Sequence, residues 1–323
     1  MLPLLSSYPR APHERDAWIV AGRGEKNGVD PLRPYAFFAE DERNAAGEIA
    51  RTATVLLTNR ECPWRCLMCD LWRNTLTETV PFGAIPAQID YALQRMPAVR
   101  QIKLYNSGSF FDPRAIPPQD HPAIAARMNA FERVIVECHP ALVNDGCVRF
   151  RHLLSGKLEV AMGLETVHPE ILARLNKRMT IGQFQSAAQF LREHEIDLRV
   201  FILVKPPFMR EDAAVEWAAH SLDTAFTCGA TAATLVPTRG GNGAMETLAA
   251  SGEFSPPALK TLEAVVEQGI SMNRGRVFAD LWNVEASPCC VHCREQRIAR
   301  LRTMNLEQRV PAAIECGQCE ESQ

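Results

Sequence analysis

TATVLLTNRECPWRCLMC, residues 52–69, joins a strand to a cysteine-rich turn, and the reading of the whole chain grows from it. TATVLLT (52–58) is a short β-branched apolar run, as expected of a buried parallel strand. Similar runs recur downstream as QIKLYN (101–106), RVIVEC (133–138), KLEVAMGLE (157–165), LRVFILV (198–204) and ATAATLV (230–236). Helical stretches stand between them near 86–95, 121–130, 169–175, 181–194 and 212–227. Strands alternating with helices make right-handed βαβ units, hence an α/β fold with a parallel sheet covered by helices. An open doubly wound sheet and a partial barrel both fit, and in either the chemistry belongs at the carboxyl ends of the strands.

The remaining chain sets the frame. Residues 1–50 carry Pro, Arg and acids without sustained periodicity and read as an irregular N-terminal extension, with a helix possible near 40–50. The strand–helix series covers 51–245, a connecting helix (258–270) and short apolar stretch (277–282) lie within 246–282, and 283–323 form a cysteine-rich tail. At 323 residues the chain has room for one large domain or two modest ones. Apolar residues make up 46% and charged residues 23%, the balance of a soluble globular protein. The net charge of −3 gives no global basic field for nucleic acid, while leaving room for a local patch. No apolar run reaches the roughly 18 residues of a membrane span. The start, MLPLLSSYPR, lacks the form of a secretory leader, so the cytoplasm is expected.

Eleven cysteines are unevenly spread. Cys62, Cys66 and Cys69 form one knot, Cys289, Cys290, Cys293, Cys316 and Cys319 crowd the tail, and Cys138, Cys147 and Cys228 stand singly. A reducing compartment disfavours a disulfide framework, so close spacing points to metal. The first knot has the spacing C-x3-C-x2-C. Three soft thiolates on one tight loop suit three corners of an iron–sulfur cube and leave the fourth iron open for chemistry.

C-x3-C-x2-C in the loop after the first strand of a βα series resembles the radical S-adenosylmethionine (radical SAM) superfamily. The resemblance implies a partial (β/α)6 TIM-like barrel and a [4Fe-4S] cluster on Cys62, Cys66 and Cys69. It also implies S-adenosylmethionine (SAM) bound at the open iron and cleaved by one electron to a 5′-deoxyadenosyl radical, which abstracts hydrogen from substrate. The reductant would be a flavodoxin or a ferredoxin. Met68, before the third cysteine, stands where the superfamily usually has an aromatic residue, and its thioether would rest against adenine. Ser107, Gly108 and Ser109 follow the second strand, in the place of the Gly-Gly-Glu-type loop that receives the SAM amino group. Glu137, in Val-Glu-Cys-His-Pro, resembles the strand ending of the coproporphyrinogen-oxidase-like and elongator-catalytic-subunit-like members and would accept from the cationic part of SAM. Glu165, in Gly-Leu-Glu-Thr, would bind ribose hydroxyls. Lys177 would pair with the SAM carboxylate, with Arg178 as the adjacent alternative. The loop Lys205–Phe208, after the fifth strand, is a candidate to cover the adenine or the substrate, and Thr238–Gly241, after the sixth, is a candidate to bind an anionic substrate group. No catalytic side chain is assigned beyond these cofactor contacts.

In the tail, Cys290 and Cys293 with Cys316 and Cys319 make two C-x2-C pairs, close to zinc-ribbon spacing. Zinc or an auxiliary iron–sulfur cluster both fit this four-cysteine module, and Cys289 is spare or exchanges with Cys290. Arg294, Arg297, Arg300 and Arg302 recur near helical spacing and offer a phosphate-binding face for tRNA. The stretches Tyr105–Phe110, Glu137–Pro140 and Gly163–Thr166 resemble the branch shared with the archaeosine synthase radical SAM subunit, which implies modification of a tRNA base. Two other functions fit the same residues: a radical SAM reaction on a small metabolite or peptide, and a non-catalytic iron–sulfur or zinc protein that binds RNA or transfers electrons.

Overall fold

The computed structural model describes residues 7–320; the first part of the leading segment read above lies outside them. Eight strands form one sheet in chain order: β1 Ala36–Arg43, β2 Ile49–Leu56, β3 Gln101–Tyr105, β4 Arg133–Glu137, β5 Lys157–Glu165, β6 Asp197–Val204, β7 Ala232–Pro237 and β8 Arg276–Ala279. β1 pairs antiparallel with β2, and every later neighbour is parallel. Among the described residues, ten helices cover the sheet and its ends: α1 Pro12–Ala21, α2 Ala84–Leu93, α3 His121–Met128, α4 Asp145–Leu153, α5 Pro169–Arg174, α6 Ile181–Glu193, α7 Glu211–Thr227, α8 Ala244–Ala250, α9 Leu259–Ser271 and α10 Arg294–Glu307; an eleventh, the single turn Gly317–Glu320, lies in the tail. The α/β expectation of a partial TIM-like barrel holds, with the sheet curled into a half-barrel. None of the described helices is long and apolar enough to cross a membrane.

Two expectations need correction. The possible helix at 40–50 is instead the end of β1, a turn, and the start of β2. Three consecutive acids, Glu40–Glu42, hide a strand whose alternate positions answer to different partners. The chain before β2 is also less irregular than expected, because it holds α1 as well as β1.

Side chains along each strand alternate between the helix layer and the lumen. Ile102, Leu104, Val134, Val136, Leu158, Val160, Val200 and Ile202 belong to the apolar core. The intervening positions fill the lower lumen with charge. Arg199 reaches Glu159 and Glu42 at 2.6 Å each, and Lys103 reaches Glu42 at 2.6 Å. Glu159 also accepts from Arg133 at 3.0 Å and Arg276 at 3.3 Å. Above this floor come aromatic rings, with Tyr105 and Phe201 edge to face at 5.9 Å.

The seam between the first and last strands is filled by α10. Its Ile298, Leu301 and Met304 enter the same apolar core. Asn305 exchanges two hydrogen bonds with the backbone of Ala279, at 2.7 and 2.9 Å, and Gln308 does the same with Val277, at 2.7 and 2.8 Å. Two side-chain amides thus stand in for a ninth strand. Asn305→Ala and Gln308→Ala should each lower unfolding free energy by about 1–3 kcal/mol, since each strands backbone groups of β8. Urea denaturation measures this, and unchanged midpoints would refute it.

Candidate SAM and iron–sulfur site

At the carboxyl ends of the parallel strands lies a cavity of about 280 Å³. Cys62, Cys66, Met68 and Cys69 line it from the loop after β2. Ser107 and Gly108 line it after β3, Glu137 at the end of β4, Glu165 at the end of β5, and Lys177 beyond α5. Ser109 is not among the lining residues; it is buried, and its hydroxyl accepts the His139 N–H at 2.8 Å.

The cysteine loop is held by its backbone. The Leu67 N–H donates to the Leu175 carbonyl at 2.9 Å. Asn176 donates to the Arg65 carbonyl at 2.8 Å, and Asn242 to the Leu67 and Cys69 carbonyls at 2.7 and 3.2 Å. Burial pushes the Cys62 thiol up to about 11 and the Cys66 and Cys69 thiols up to about 12. Three thiols so disfavoured as free anions need a bound cation to ionise, which is what an iron cluster provides. Among the described residues, one set of His, Cys, Asp or Glu gathers its ligand atoms within 4.8 Å of one another, and it is in the tail. Cys62, Cys66 and Cys69 carry free thiols on one loop that lines the cavity, the donor set that suits an iron–sulfur cluster.

Opposite the loop, Lys177 pairs with Glu165 at 2.6 Å. Gly163 makes the room: a Cβ there would lie 2.0 Å from a Glu165 carboxylate oxygen and 2.4 Å from the Lys177 ammonium. The β5 register shifts between Gly163 and Glu165, and Glu165 takes a φ of 65°, which turns its side chain into the cavity. Burial opposes the charge on Lys177, but Glu165 outweighs it and raises the ammonium above its ordinary value. Arg178, the alternative, is turned away to the Pro12 carbonyl at 2.7 Å and to Asp16 at 3.2 Å.

Glu137 sits deeper than a free acceptor would. Burial pushes its carboxyl up to about 7, while the backbone N–H groups of Asn106, Ser107 and Gly108 act in the opposite direction. The bond from Asn106 is 2.8 Å. Glu137 therefore shapes the 106–108 loop as well as lining the cavity. Three further groups escaped the sequence reading. Trp64 stacks on His139 with ring centres 3.7 Å apart. That histidine accepts from the Ala141 N–H and donates to the Lys177 carbonyl, and burial pushes it down to about 4, so it is neutral. Tyr35 and Ser107 share a hydroxyl hydrogen bond of 3.2 Å. The remaining group is Asn242, whose role exists only once the fold brings it under the cysteine loop.

Of the two further candidate loops, the one expected to meet an anionic group places Thr238 and Arg239 in the cavity lining. Lys205 and Phe208 instead line a separate, more open depression, where Lys205 is 2.6 Å from both Glu211 and Ser255.

In the tail, Cys290, Cys293, Cys316 and Cys319 bring their sulfurs within 4.8 Å of one another, as their spacing predicts. Cys289 lies beside them, its sulfur 3.9 Å from that of Cys293. The arginine face expected for tRNA is largely spent inside the protein. Arg297 pairs with Glu263 and donates to the Cys293 sulfur at 3.2 Å. Arg300 is buried against Glu263 and Glu267, and Arg294 bonds the Ser287 and Cys289 carbonyls at 3.0 and 3.2 Å. Arg302 alone of the four is mainly exposed, with its side chain 60% accessible.

No protein-family model matches the chain. It is 25% identical over 292 residues to an archaeosine synthase subunit beta from Methanosarcina acetivorans, covering 85% of this chain and 84% of that one. Among solved structures it is similar to the radical SAM methyltransferase TsrM from Kitasatospora setae, with a TM-score of 0.43 and 16% identity over 57% of this chain. The chain spans about a third (35%) of that protein's length. The radical SAM coproporphyrinogen III oxidase of Escherichia coli gives a TM-score of 0.37 and 12% identity, over 53% of this chain and 39% of that one. In sequence the chain is thus similar to archaeosine synthase beta subunits over most of its length.

Proposed function

We propose that this chain, which resembles radical SAM enzymes in sequence motif and in fold, cleaves SAM and uses the resulting radical on a nucleic-acid base, in the manner of an archaeosine synthase subunit. The observation that carries the reading is one cavity at the strand ends lined by Cys62, Cys66 and Cys69 on one side and by the Glu165–Lys177 pair on the other. Cys62, Cys66 and Cys69 would hold a [4Fe-4S] cluster, which when bound would supply the one electron that cleaves SAM to methionine and a 5′-deoxyadenosyl radical.

The chain's own residues do the rest. Lys177 is the buried cation for the SAM carboxylate, and Glu165 the two-oxygen acceptor for ribose hydroxyls. Met68 gives a polarizable surface for adenine. Glu137 holds the N–H groups of the 106–108 loop, which leaves the carbonyls of that loop for the SAM amino group. A flavodoxin- or ferredoxin-like carrier supplies the electron. In the tail we assign zinc, because tetrahedral Zn–S bonds of about 2.3 Å set sulfurs about 3.8 Å apart, and Cys293 and Cys319 are separated by 3.7 Å.

Reconstituting the protein anaerobically with iron and sulfide, reducing it and adding SAM tests the reading. 5′-Deoxyadenosine should appear. Lys177→Ala should raise the SAM concentration needed by about ten- to a hundredfold, the loss of one charge-assisted hydrogen bond, while Lys177→Arg keeps part of the binding. Wild-type protein that holds iron yet releases no 5′-deoxyadenosine would end this proposal.

A further inference from the structure

We propose that Trp282 and Phe38 form a stacking platform for one unpaired nucleobase at the mouth of the cysteine-lined cavity. The proposal rests on the function above and names the element that receives its substrate.

The geometry begins with β1. Glu40 and Glu42 point into the lumen, where both pair with Lys103 at 2.9 and 2.6 Å. Alternation puts Phe38 on the same face, one step nearer the strand ends that carry the cavity. Phe37 points the other way, packing edge to face on Tyr91 of α2 at 6.0 Å. Trp282 follows the end of β8 across the seam and stacks on Phe38, with centroids 6.4 Å apart and planes 29° from parallel. Its residue surface remains 64% exposed.

Hydrogen bonds fix the Trp282 backbone and link it to the cavity lining. The Trp282 N–H donates to Asp280 at 2.9 Å, and its carbonyl accepts from Arg239, which also pairs with Asp280. Arg239 lines the cavity. On the other side Tyr35, three residues before Phe38, is bonded to Ser107, which lines it too. Trp282 keeps most of its surface open to solvent while its neighbour Arg239 lines the cavity, so a flat ring entering there has an aromatic surface to meet. Unpaired bases are held in this way, stacked on aromatic faces with arginine alongside. The lone ring offers no broad apolar patch of the kind a protein partner would bury.

The test titrates an unmodified tRNA transcript into the full-length, reconstituted protein at fixed salt. Trp282→Ala should weaken binding by at least about fivefold, the lower range of base–aromatic stacking, and Trp282→Phe should restore most of it. The salt dependence should be unchanged, because no phosphate contact is removed. SAM cleavage without tRNA should also be unchanged. Equal affinity of wild type and Trp282→Ala, or equal losses in the Ala and Phe variants, would overturn the platform. Absence of tRNA binding by the wild type would overturn it as well, even where 5′-deoxyadenosine forms. Trp282-dependent binding without SAM cleavage would uphold the platform and reject the proposed reaction.

Discussion

Cys66→Ala is expected to remove 5′-deoxyadenosine formation completely, down to the level of a reaction without protein, while the chain stays folded. Cys66 is the middle ligand of the loop, and two thiols cannot hold three corners of an iron cube. Its burial keeps the thiol near 12 in the absence of a metal, so the sulfur contributes little charge to the fold that its removal would upset. The loop around it hangs on backbone bonds to Leu175, Asn176 and Asn242, none of which uses the Cys66 side chain. Iron content after reconstitution should drop in parallel, which distinguishes cluster loss from a blocked SAM site. A Cys66→Ala protein that still cleaves SAM would show that the cluster lies elsewhere.

The second large effect is on stability. Glu159→Ala should lower unfolding free energy by about 3–5 kcal/mol, because it removes a fully buried carboxylate and leaves its arginines short of a partner. Glu159→Gln should cost less, since the amide oxygen still accepts one hydrogen bond. Urea denaturation at neutral pH measures both, and the Gln variant carries the test if the Ala variant does not fold. The pH dependence has a definite sign. Burial acts to raise the carboxyls of Glu42 and Glu159, but the surrounding Arg199, Lys103, Arg276 and Arg133 outweigh it and hold both below the ordinary 4.5. Their contribution is therefore full above about pH 4.5 and fades as pH falls below it. The gap between wild type and Glu159→Gln should narrow on acidification. A gap that widens, or an Ala variant within 1 kcal/mol of wild type, would contradict this account of the floor.

The six parallel strands from β2 to β7 were readable because each is a short apolar run between helical stretches. β1 was not, because its acids make sense only beside partners far along the chain: Glu42 meets Arg199, 157 residues away. That the loop cysteines, Glu165 and Lys177 would meet around one cavity was legible, because each is a distinctive residue type placed beyond a strand of the βα series. Trp64, Tyr35 and Asn242 act through contacts that spacing does not encode. The tail shows both sides of this limit. The spacing of its cysteines foretold the quartet, yet helical spacing of arginines said nothing about Glu263 and Glu267, which turn Arg297 and Arg300 inward.

The two amides that α10 lays against β8 also bear on how the chain behaves among its own copies. An open final strand is a template on which another molecule can continue the sheet. Here the outward-facing N–H and C=O groups of Val277 and Ala279 are already taken by Gln308 and Asn305, so intermolecular strand addition finds nothing to bind. The cysteine quartet flanks that helix, with Cys293 just before its first turn and Cys316 and Cys319 beyond its last. Loss of the metal proposed for the quartet would then threaten solubility first, by loosening the helix that keeps neighbouring molecules off the sheet.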